Sequence, residues 1–430
     1  MDTKRDTIKV GLLGCGIVGS GVVRLLTDNA EAIAARVGAR IEVGPVAVRN
    51  IALDRDVSVP GLTNDPAEVV RGDDVDIVVE VMGGIEPTRT FISEALEGGK
   101  SVVTANKELI ASLGGELFAL AHDKGARLEY EAAVAGSIPI IKPLRESLAG
   151  DRVRKVLGIL NGTTNYIMTR MTEEGMAFSD ALGEAQRLGY AERDPSADIE
   201  GFDAASKAAI LASLAFDADI VAGDVYREGI TAITSTDIAH ARRMGYVIKL
   251  LAIAEQDDGL VGVRVHPALI PEDHPLASVR ESFNAVFVEA EAAGDLMFYG
   301  RGAGSLPTAS AVVGDICTAA RALLAGERPA NGRSTTSRGI RPFDEVIVQY
   351  YVLLDVVDEA GVLAAVASTF GAHNVSIRSV WQEGEEDHAQ LLLITHAARE
   401  RDLQATLHDL RSLPVVRAVA SVMRVEGGEV

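Results

Sequence analysis

The chain has 430 residues, of which 47% are hydrophobic and 24% are charged, and its formal net charge is −21. The length and composition indicate a globular protein of two or three domains. The negative charge excludes nucleic acid and anionic membrane surfaces as expected partners. The two cysteines, Cys15 and Cys317, show neither a metal-ligand spacing nor a disulfide framework. No signal peptide is recognisable and no apolar run reaches the roughly 18–20 residues of a membrane span, so we expect a cytoplasmic protein.

The first segment alternates predicted strands with predicted helices. The strands are predicted at 8–13, 41–48, 75–81 and 101–104. The helices are predicted at 19–37, 65–71, 87–97 and 113–124. This alternation is typical of a parallel sheet with crossover helices. We therefore predict an α/β domain of the Rossmann type over residues 1–140.

A glycine-rich turn joins the first predicted strand to the first predicted helix. It reads Gly14-Cys15-Gly16-Ile17-Val18-Gly19. The first glycine allows the tight turn, the second lets the backbone approach a pyrophosphate, and the third packs the helix on the strand. The helix N-terminus stabilises the anion. Because a strand precedes the turn and a helix follows it, dinucleotide binding is favoured over a purely structural turn.

The residue after the second strand of such a domain meets the adenosine ribose. An acid there favours NAD, and an arginine favours the 2′-phosphate of NADP. Here the residue is Arg49, which favours NADP; the alternative is a solvated arginine at a strand end. Thr104-Ala105-Asn106-Lys107 follows the fourth strand, at the ligand-binding edge of the sheet. Lys107 could contact cofactor or substrate, or could cap a loop.

The middle segment, 141–325, mixes strands with helices and is predicted to be an α+β domain. Strands are predicted at 153–160, 261–269 and 284–290, and helices at 177–188, 203–216 and 237–243. A further helix begins near Pro307, and we expect residues 305–325 to pack back on the first domain. His266 and His274 each precede a proline and are predicted to lie in loops.

The most informative pair of residues in the middle segment is Asp203 and Lys207. They lie four apart on a predicted helix and therefore share one face with the apolar residues that follow. A solvated ion pair normally lies opposite an apolar stripe. Glu192 and Asp198 add two acids just upstream. A surface salt bridge is the simpler interpretation, but the stripe and the clustered acids favour a buried lysine whose proton affinity its neighbours tune.

Three further turns are open to two interpretations each. Residues 161–165, with Thr163 at their centre, can orient a polar substrate or cap a helix. Residues 131–139 carry one acid, Glu131, and could hold a hard cation, although a loop between two domains is the better interpretation from chemistry alone. Residues 299–307 could bring backbone close to the cofactor or form a tight connection.

Residues 326–344 are polar, contain Gly and Pro, and are predicted to be a linker. The compact unit that follows, 345–427, has the order βαββαβ of the ferredoxin-like split pattern. Its strands are predicted at 345–356, 375–382, 389–396 and 415–425, and its helices at 362–370 and 400–412.

These motifs together resemble those of a known family. Residues 185–207 read Ala-x-x-x-Gly-Tyr-Ala-x-x-Asp-Pro-x-x-Asp-Ile-x-Gly-x-Asp-x-x-x-Lys. This segment resembles the signature of monofunctional bacterial homoserine dehydrogenases with a C-terminal ACT domain. Residues 104–107, 161–165 and 302–309 agree with that family in order and spacing, and the resemblance covers essentially the whole chain.

The resemblance implies a role for each candidate residue. Lys207 would be the acid/base group at the substrate oxygen, and Lys107 would lie at the junction of cofactor and substrate as a second candidate for proton transfer. The substrate would be held by Glu192 and Asp203, supported by Asp198 and Thr163. The cofactor, NADP or NAD, would contact Gly14, Gly16, Ile17, Val18, Gly19, Arg49, Thr104, Lys107, Gly189 and Gly304. A monovalent cation, sodium, would be bound by Glu131 and the carbonyls of Val134, Gly136 and Ile138.

The implied reaction interconverts L-aspartate 4-semialdehyde and L-homoserine, a step toward threonine, methionine and isoleucine. The implied fold adds a catalytic and dimerisation domain and a C-terminal ACT domain, in a homodimer or homotetramer. Feedback inhibition by threonine would involve Asp358, Gly361 and Asn374. The turn there reads Asp-Glu-Ala-Gly, which departs from the more usual Asp-x-Pro-Gly of ACT domains.

Two alternatives compete with this interpretation. One is a two-domain dehydrogenase that acts on another amino-acid semialdehyde, and the intact Glu192, Asp203 and Lys207 argue against it. The other is a non-catalytic amino-acid sensor that kept the fold and its ACT unit. Loss of Lys207 or of the glycine turn would favour the sensor, and both are present.

Overall fold

The computed structural model describes residues 6–327, 338–385 and 388–427. Most of the predicted linker, 326–344, therefore lies outside the described residues. The chain folds into two compact units. The first comprises Met1–Gly162, Asp203–Val225 and Phe283–Arg338, and the second comprises Thr163–Phe202, Tyr226–Ser282 and Gly339–Val430.

The N-terminal part of the first unit contains the predicted parallel sheet. Its strands are β1 (Thr7–Leu13), β2 (Arg40–Ala47), β3 (Leu62–Thr63), β4 (Ile77–Glu80), β5 (Ser101–Thr104) and β6 (Leu128–Glu129). Its helices are α1 (Ile17–Asp28), α2 (Ala30–Val37), α3 (Ala67–Val70), α4 (Thr88–Glu97) and α5 (Lys107–Lys124). The strand order is β3-β2-β1-β4-β5-β6 and all pairings are parallel. The Rossmann-type prediction is confirmed.

Two helix boundaries in this part differ from the predicted ones. The single helix predicted at 19–37 is two helices, because Asn29 leaves the helical conformation with φ −110° and ψ 19°. Asparagine hydrogen-bonds locally and favours helix ends over helix interiors. Helix α5 begins at Lys107 rather than at 113, because the Asn106 side chain accepts a hydrogen bond from Leu109 N. This N-cap is a sequence signal that the prediction missed.

The middle of the chain contributes to both units. Its elements up to residue 225 are β7 (Val153–Ile159), α6 (Gly162–Glu174), α7 (Phe178–Arg187), α8 (Ser196–Ile199) and α9 (Phe202–Ala215). Its later elements are β8 (Tyr226–Arg227), α10 (Ser235–Arg243), β9 (Tyr246–Asp257), β10 (Leu260–Pro271), β11 (Phe283–Ala290), β12 (Gly294–Arg301) and α11 (Ser305–Ala325). In the first unit β11 pairs antiparallel with β7 and β12, and in the second β10 pairs antiparallel with β9 and parallel with β8.

The prediction missed strands β9 and β12 and placed His266 wrongly. The β9 sequence is a nearly continuous apolar run, and such a run does not distinguish a buried strand from a buried helix by its periodicity. His266 is fully buried inside β10 rather than in a loop, because the strand continues through Pro267 as far as Pro271. His274 does lie outside the strands, as the N-cap of a short 3₁₀ turn.

Helix α11 packs in the core of the first unit. It is long and apolar enough to cross a membrane by composition, but half of its apolar stretch is buried inside the protein. It contacts α1, where Gly21 lies against Ser305 and Ala309. Its buried residues join the core beneath the parallel sheet, among them Val312, Ile316, Ala319 and Ala320. The return of residues 305–325 onto the N-terminal segment is therefore present in the structure.

The C-terminal segment of the second unit has the predicted βαββαβ order. It contains β13 (Ile347–Val356), α12 (Val362–Ala372), β14 (Ile377–Glu385), β15 (His388–Thr395), the short β16 (Ala398–Arg399), α13 (Glu400–Leu410) and β17 (Val416–Val425). The sheet order is β17-β13-β15-β14, all antiparallel. Strand β17 also pairs parallel with β10. The ACT sheet and the β9–β10 hairpin are therefore hydrogen-bonded to each other within the second unit.

A buried arginine joins β10 to the ACT segment. The side chain of Arg264 is fully buried, and its Nη1 lies 2.5 Å from Glu255 Oε1 and its Nη2 2.7 Å from Glu426 Oε1. Glu426 is buried as well. Burial of a charge is tolerated only where hydrogen-bonded counter-charges satisfy it. The sequence analysis did not identify this cluster.

Candidate active site

Two lysines share one buried carboxylate in the first unit. Lys207 Nζ lies 2.7 Å from Asp203 Oδ2, and Lys107 Nζ lies 2.6 Å from Asp203 Oδ1. Asn161 Nδ2 donates to Asp203 Oδ2 at 2.9 Å, and Lys207 Nζ donates to the Leu160 carbonyl at 2.7 Å. The Lys207 side chain is 11% exposed and that of Lys107 is 37% exposed. This is a buried, connected charge cluster and not a solvated salt bridge.

The electrostatics of the cluster keep Asp203 ionised. Burial alone would raise the pKa of the Asp203 carboxyl, but the ammonium groups of Lys207 and Lys107 outweigh burial and hold that pKa well below its usual range. Asp203 is therefore a fixed negative charge across the neutral pH range. It can orient both lysines without itself exchanging protons.

Apart from Lys207, which lies inside α9, each member of the cluster stands where a secondary-structure element begins or ends. Lys107 is the first residue of α5, directly after β5, and Asp203 lies in the first turn of α9. Leu160 and Asn161 follow the end of β7. Residues at strand ends and helix starts are held by the rigid elements on either side, which favours fixed distances between the charges.

The turn before Lys107 is held by a buried network. Thr104 Oγ1 donates to Glu80 Oε2 at 2.6 Å, and Asn106 Nδ2 donates to the Gly84 carbonyl at 2.7 Å. Glu80 also accepts from Met82 N and Gly83 N. Thr104 is fully buried. Its side chain thus supports the turn that precedes Lys107.

The remaining predicted substrate residues belong to the second unit. Thr163 Oγ1 donates to the Tyr190 carbonyl at 2.8 Å and so holds the turn that contains Gly189, which has φ +79°. Asp198 is half-buried in α8. Glu192 is exposed, contrary to the expectation that the acids upstream of Asp203 avoid the surface. Its exposure follows from its position in the irregular stretch between α7 and α8.

The glycine turn between β1 and α1 has the geometry of a phosphate cradle. Gly14 has φ +103°, and a Cβ on Gly14 would lie 2.9 Å from the Val81 carbonyl oxygen. A Cβ on Gly19 would lie 2.5 Å from the Gly14 carbonyl oxygen, whereas one on Gly16 would meet nothing within 4 Å. Ile17, the first residue of α1, is 76% exposed. The residues present therefore fit a dinucleotide at this helix N-terminus.

Three other predicted cofactor residues lie in the first unit. Arg49 is exposed and follows the end of β2 by two residues. Gly304 is the N-cap of α11 with φ +121°, a conformation that favours glycine. Val18 lies in the first turn of α1, packed against the core.

The predicted cation turn is tightly built. Glu131 Oε1 accepts from Ile140 N and Ile141 N at 2.6 and 2.7 Å, and Oε2 accepts from Lys142 N at 3.0 Å. The Glu131 carboxylate thus holds the turn itself. Asp315 Oδ2 accepts from Glu131 N at 2.8 Å, and burial raises the pKa of Asp315 to about 7 despite the nearby Lys142.

Ala135 and Gly136 give the cation turn its shape. Both have positive φ, +54° and +58°. Successive residues in this conformation form a sharp turn, and a non-glycine residue there is uncommon. Among the residues that the structure describes, no group of three His, Cys, Asp or Glu side chains could hold a metal.

Substitution of Gly136 tests how tightly this turn is built. A Cβ on Gly136 would overlap the carbonyl group of Gly302, and φ is +58°. Gly136→Ala is expected to lower the free energy of unfolding by more than about 1 kcal/mol. Gly150→Ala is the matched control, because a Cβ there would meet nothing within 4 Å. Urea denaturation of both variants measures the difference; equal stability would contradict the close approach.

The predicted regulatory residues lie at the ends of helix α12. Gly361 is its N-cap with φ +95°, and Asn374 follows its end with φ +57°. Asp358 precedes the helix in the same exposed turn. Both positive-φ positions are occupied by residue types that tolerate this conformation.

Sequence reasoning missed three residues that shape the site. Asn161 lies in a motif that was singled out, yet its contact with Asp203 was not predicted. Glu80 and Asp315 carry buried carboxylates that bind backbone N–H groups of the site turns. A carboxylate inside or beside an otherwise apolar segment was the available signal, since charged residues are rarely buried without a partner.

Comparison with known proteins agrees with this architecture. Residues 14–131 match the NAD binding domain of homoserine dehydrogenase, residues 139–317 match homoserine dehydrogenase, and residues 350–415 match the ACT domain. A homoserine dehydrogenase of Mycobacterium bovis is 51% identical over 431 residues, covering 98% of both chains. The crystal structure of a homoserine dehydrogenase from Thiobacillus denitrificans superposes with a TM-score of 0.93 at 42% identity, again over 98% of both chains.

A more distant structure is similar over about three quarters of this chain. It is a hyperthermophilic archaeal homoserine dehydrogenase in complex with NADPH, with a TM-score of 0.62 and 27% identity, covering 73% of this chain and 97% of that one. The glycine turn, the parallel sheet and the NAD-binding match define the chain as a nicotinamide-dependent oxidoreductase. The chain belongs to the homoserine dehydrogenase family, in a form that carries an ACT domain.

Proposed function

We propose that the chain catalyses the reversible oxidation of L-homoserine to L-aspartate 4-semialdehyde, with NADP preferred over NAD. The observation that carries the proposal is the shared contact of Lys107 and Lys207 with the Asp203 carboxylate. Oxidation of an alcohol needs a group that accepts the hydroxyl proton, and a lysine amine in a water-poor site can do so. Family membership supplies the substrate class.

We assign the proton transfer to Lys207. A lysine has three N–H donors. In the part of the chain that the structure describes, two of them bind the Leu160 carbonyl and Asp203, which leaves one directed to a substrate oxygen. In the reduction direction its positive charge stabilises the growing oxyanion, and its proton completes the alcohol. A bound nicotinamide nucleotide supplies the hydride chemistry. Lys107 is the second candidate for the same proton.

The substrate ammonium group needs carboxylates, and we propose Glu192 and Asp203 for it, with Asp198 and Thr163 in support. Asp203 is ionised and contacts the ammonium groups of both Lys107 and Lys207. Glu192 and Asp198 lie in the segment 185–207 that resembles the family signature. Their role rests on that segment and remains a prediction.

For the cofactor, we propose that Gly14, Gly16 and Gly19 receive the pyrophosphate and that Arg49 meets the 2′-phosphate. The NADPH bound by the archaeal relative supports NADP as the preferred cofactor. Gly189 and Gly304 have positive φ, which suits close backbone approach. A monovalent cation would be held by the carbonyls of Val134, Gly136 and Ile138 and would stiffen the turn at Glu131.

The role of Arg49 in cofactor choice gives a direct prediction. Arg49→Ala is expected to lower kcat/KM for NADP by about tenfold and to leave NAD unchanged, because a charge-assisted hydrogen bond to phosphate is lost. Arg40→Ala is the matched control, since Arg40 is exposed at the opposite end of the same strand, β2. Steady-state rates with each nucleotide measure the effect. Equal losses with NADP and NAD would contradict the 2′-phosphate contact.

We propose three functional divisions, a dinucleotide-binding domain at 1–140, a catalytic domain at 141–325 and an ACT domain at 345–427, in a cytoplasmic homodimer or homotetramer. In the reduction direction the product, L-homoserine, would feed threonine, methionine and isoleucine synthesis. Threonine would inhibit by binding near Asp358, Gly361 and Asn374, in the turns that flank α12.

One assay tests the proposed function. Purified protein is given L-homoserine with NADP or NAD, with and without threonine, and reduced nucleotide is recorded. We expect turnover, faster with NADP, and suppression by threonine. A folded protein that binds nucleotide but produces no reduced nucleotide would contradict the dehydrogenase proposal and favour an amino-acid sensor.

A further inference from the structure

The last strand of the ACT segment ends in a buried arginine that reaches beyond that segment. Arg424, in β17, is 4% exposed. Its Nε and Nη2 each donate to the Glu400 carboxylate at 2.9 Å, and its Nη1 donates to Glu228 Oε1 at 2.9 Å. The Glu400 contact lies within the ACT segment. The Glu228 contact connects the ACT segment to another part of the second unit.

Glu228 is held directly after strand β8. Its backbone N donates to the Val265 carbonyl at 2.7 Å, which continues the pairing of β8 with β10. Tyr226 Oη also donates to Glu228 Oε1. The Tyr226 ring stacks on Phe343, with ring centroids 3.3 Å apart. Arg424 lies over the Phe343 ring at 4.8 Å, so the same guanidinium contacts both the carboxylate and the aromatic pair.

The turn that follows Glu228 packs on the segment Ser196–Ile199 and the residues after it. A Cβ on Gly229 would overlap the Ile199 carbonyl oxygen, so only glycine allows this approach. Ile230 N donates to that same carbonyl at 2.9 Å. The Arg227 guanidinium lies 3.5 Å from the Phe202 ring centroid. The backbone at 199–202, which follows Asp198 and precedes Asp203 in the chain, is therefore held by residues 227–230.

We propose that Glu228 and Arg424 are positioning residues, through which the ACT segment holds residues 196–202 in the conformation that presents Asp198 to the substrate. The inference rests on the proposed function for the identity of the substrate. The contacts themselves are independent of it. Neither residue touches the proposed substrate or cofactor groups, so their effect acts through the backbone at Ile199 and Gly229.

Glu228 is the partner to change, because its loss leaves the rest of the network paired. The Glu228 side chain is 38% exposed, whereas that of Arg424 is 5% exposed. Without the Glu228 charge, Arg424 keeps both hydrogen bonds to Glu400. Removal of Arg424 would instead leave the buried Glu400 carboxylate without this counter-charge, which endangers folding. Glu228→Gln keeps the size of the side chain, removes its charge, and replaces one acceptor oxygen with an NH2 group that donates.

The test measures kinetics and backbone protection on the same full-length protein. Glu228→Gln is expected to raise KM for homoserine by about 3- to 30-fold, with kcat changed less than about twofold and KM for NADP unchanged. Hydrogen exchange should speed up about tenfold in peptides that cover 196–202. The exchange result does not depend on turnover, so it separates failure of this inference from failure of the proposed function.

The matched control is Glu383→Gln. Glu383, on β14, forms an ion pair with Arg243 on α10 and so also joins the ACT segment to the rest of the second unit. It has no contact with residues 227–230 among the described hydrogen bonds and ion pairs. The control is expected to leave KM for homoserine and exchange at 196–202 unchanged. Unchanged exchange and KM in Glu228→Gln, or equal changes in both variants, would overturn the proposal.

Discussion

Lys207→Met is expected to lower kcat for homoserine oxidation by about 10²- to 10⁴-fold, the range for loss of a general acid/base group. Nucleotide binding should persist, because the glycine turn at 14–19 lies on a different element of the first unit. The physical reason is the position of Lys207 Nζ, held at 2.7 Å by both the Leu160 carbonyl and Asp203. Methionine keeps an unbranched side chain of similar length and removes the ammonium group.

Two further variants separate the candidates for this proton transfer. Lys107→Met is expected to raise KM more than it lowers kcat, since Lys107 is more exposed than Lys207 and contacts the other Asp203 oxygen. Lys100→Met is the control, because Lys100 lies at the opposite end of β5 and donates to the Gly72 carbonyl. Steady-state kcat and KM are measured for all three. A Lys207→Met protein with normal kcat would contradict the assignment and shift it to Lys107.

Arg264→Met is expected to be the most destabilising substitution in the second unit, with a fall of about 3–5 kcal/mol in the free energy of unfolding. Arg264 is fully buried and lies 2.7 Å from Glu426, whose side chain is 2% exposed. Without the arginine, the Glu426 carboxylate is left buried without its counter-charge. Removal of one partner of a buried ion pair is the costly case, because the desolvation of the remaining charge loses the compensation which that partner gave.

Urea unfolding, monitored by the fluorescence of Trp381, measures this effect. Trp381 is the chain's single tryptophan and lies in β14 of the second unit. Arg243→Met is the control, since its ion pair with Glu383 is solvent-exposed and such pairs contribute about 0–1 kcal/mol. The double variant Arg264→Met, Glu426→Gln should recover part of the loss. Equal urea concentrations at the unfolding midpoints of Arg264→Met and Arg243→Met would contradict the predicted difference in stability.

Local sequence patterns predicted those elements that are determined by residues near one another in the chain. Alternating strands and helices predicted the parallel sheet, and the spacing of Asp203 and Lys207 against an apolar stripe predicted a buried pair on one helix face. The ACT order βαββαβ followed from strand and helix periodicity. In each case the determining contacts lie within a few residues or one supersecondary unit.

The missed features depend on contacts between distant parts of the chain. Nothing near Lys107 indicates that it shares a carboxylate with Lys207, because that contact follows from how β5 and α9 are brought together. Arg264 lies in an apolar strand whose sequence gives no sign of its partner Glu426. Strand β9 was missed because an unbroken apolar run carries no strand period. Such features follow from the topology and not from local propensity.

The central claim is that Lys207, held against Asp203, accepts the hydroxyl proton in homoserine oxidation. A single-turnover experiment tests it most directly. Enzyme saturated with NADP is mixed with L-homoserine, and the formation of NADPH is followed over time. The experiment is carried out with the unchanged protein and with Lys207→Met. The account predicts a rapid burst or steady formation of NADPH in the unchanged protein and a rate about 10²- to 10⁴-fold lower in the variant. Equal rates in the two proteins, or no NADPH from either while nucleotide is bound, would contradict it.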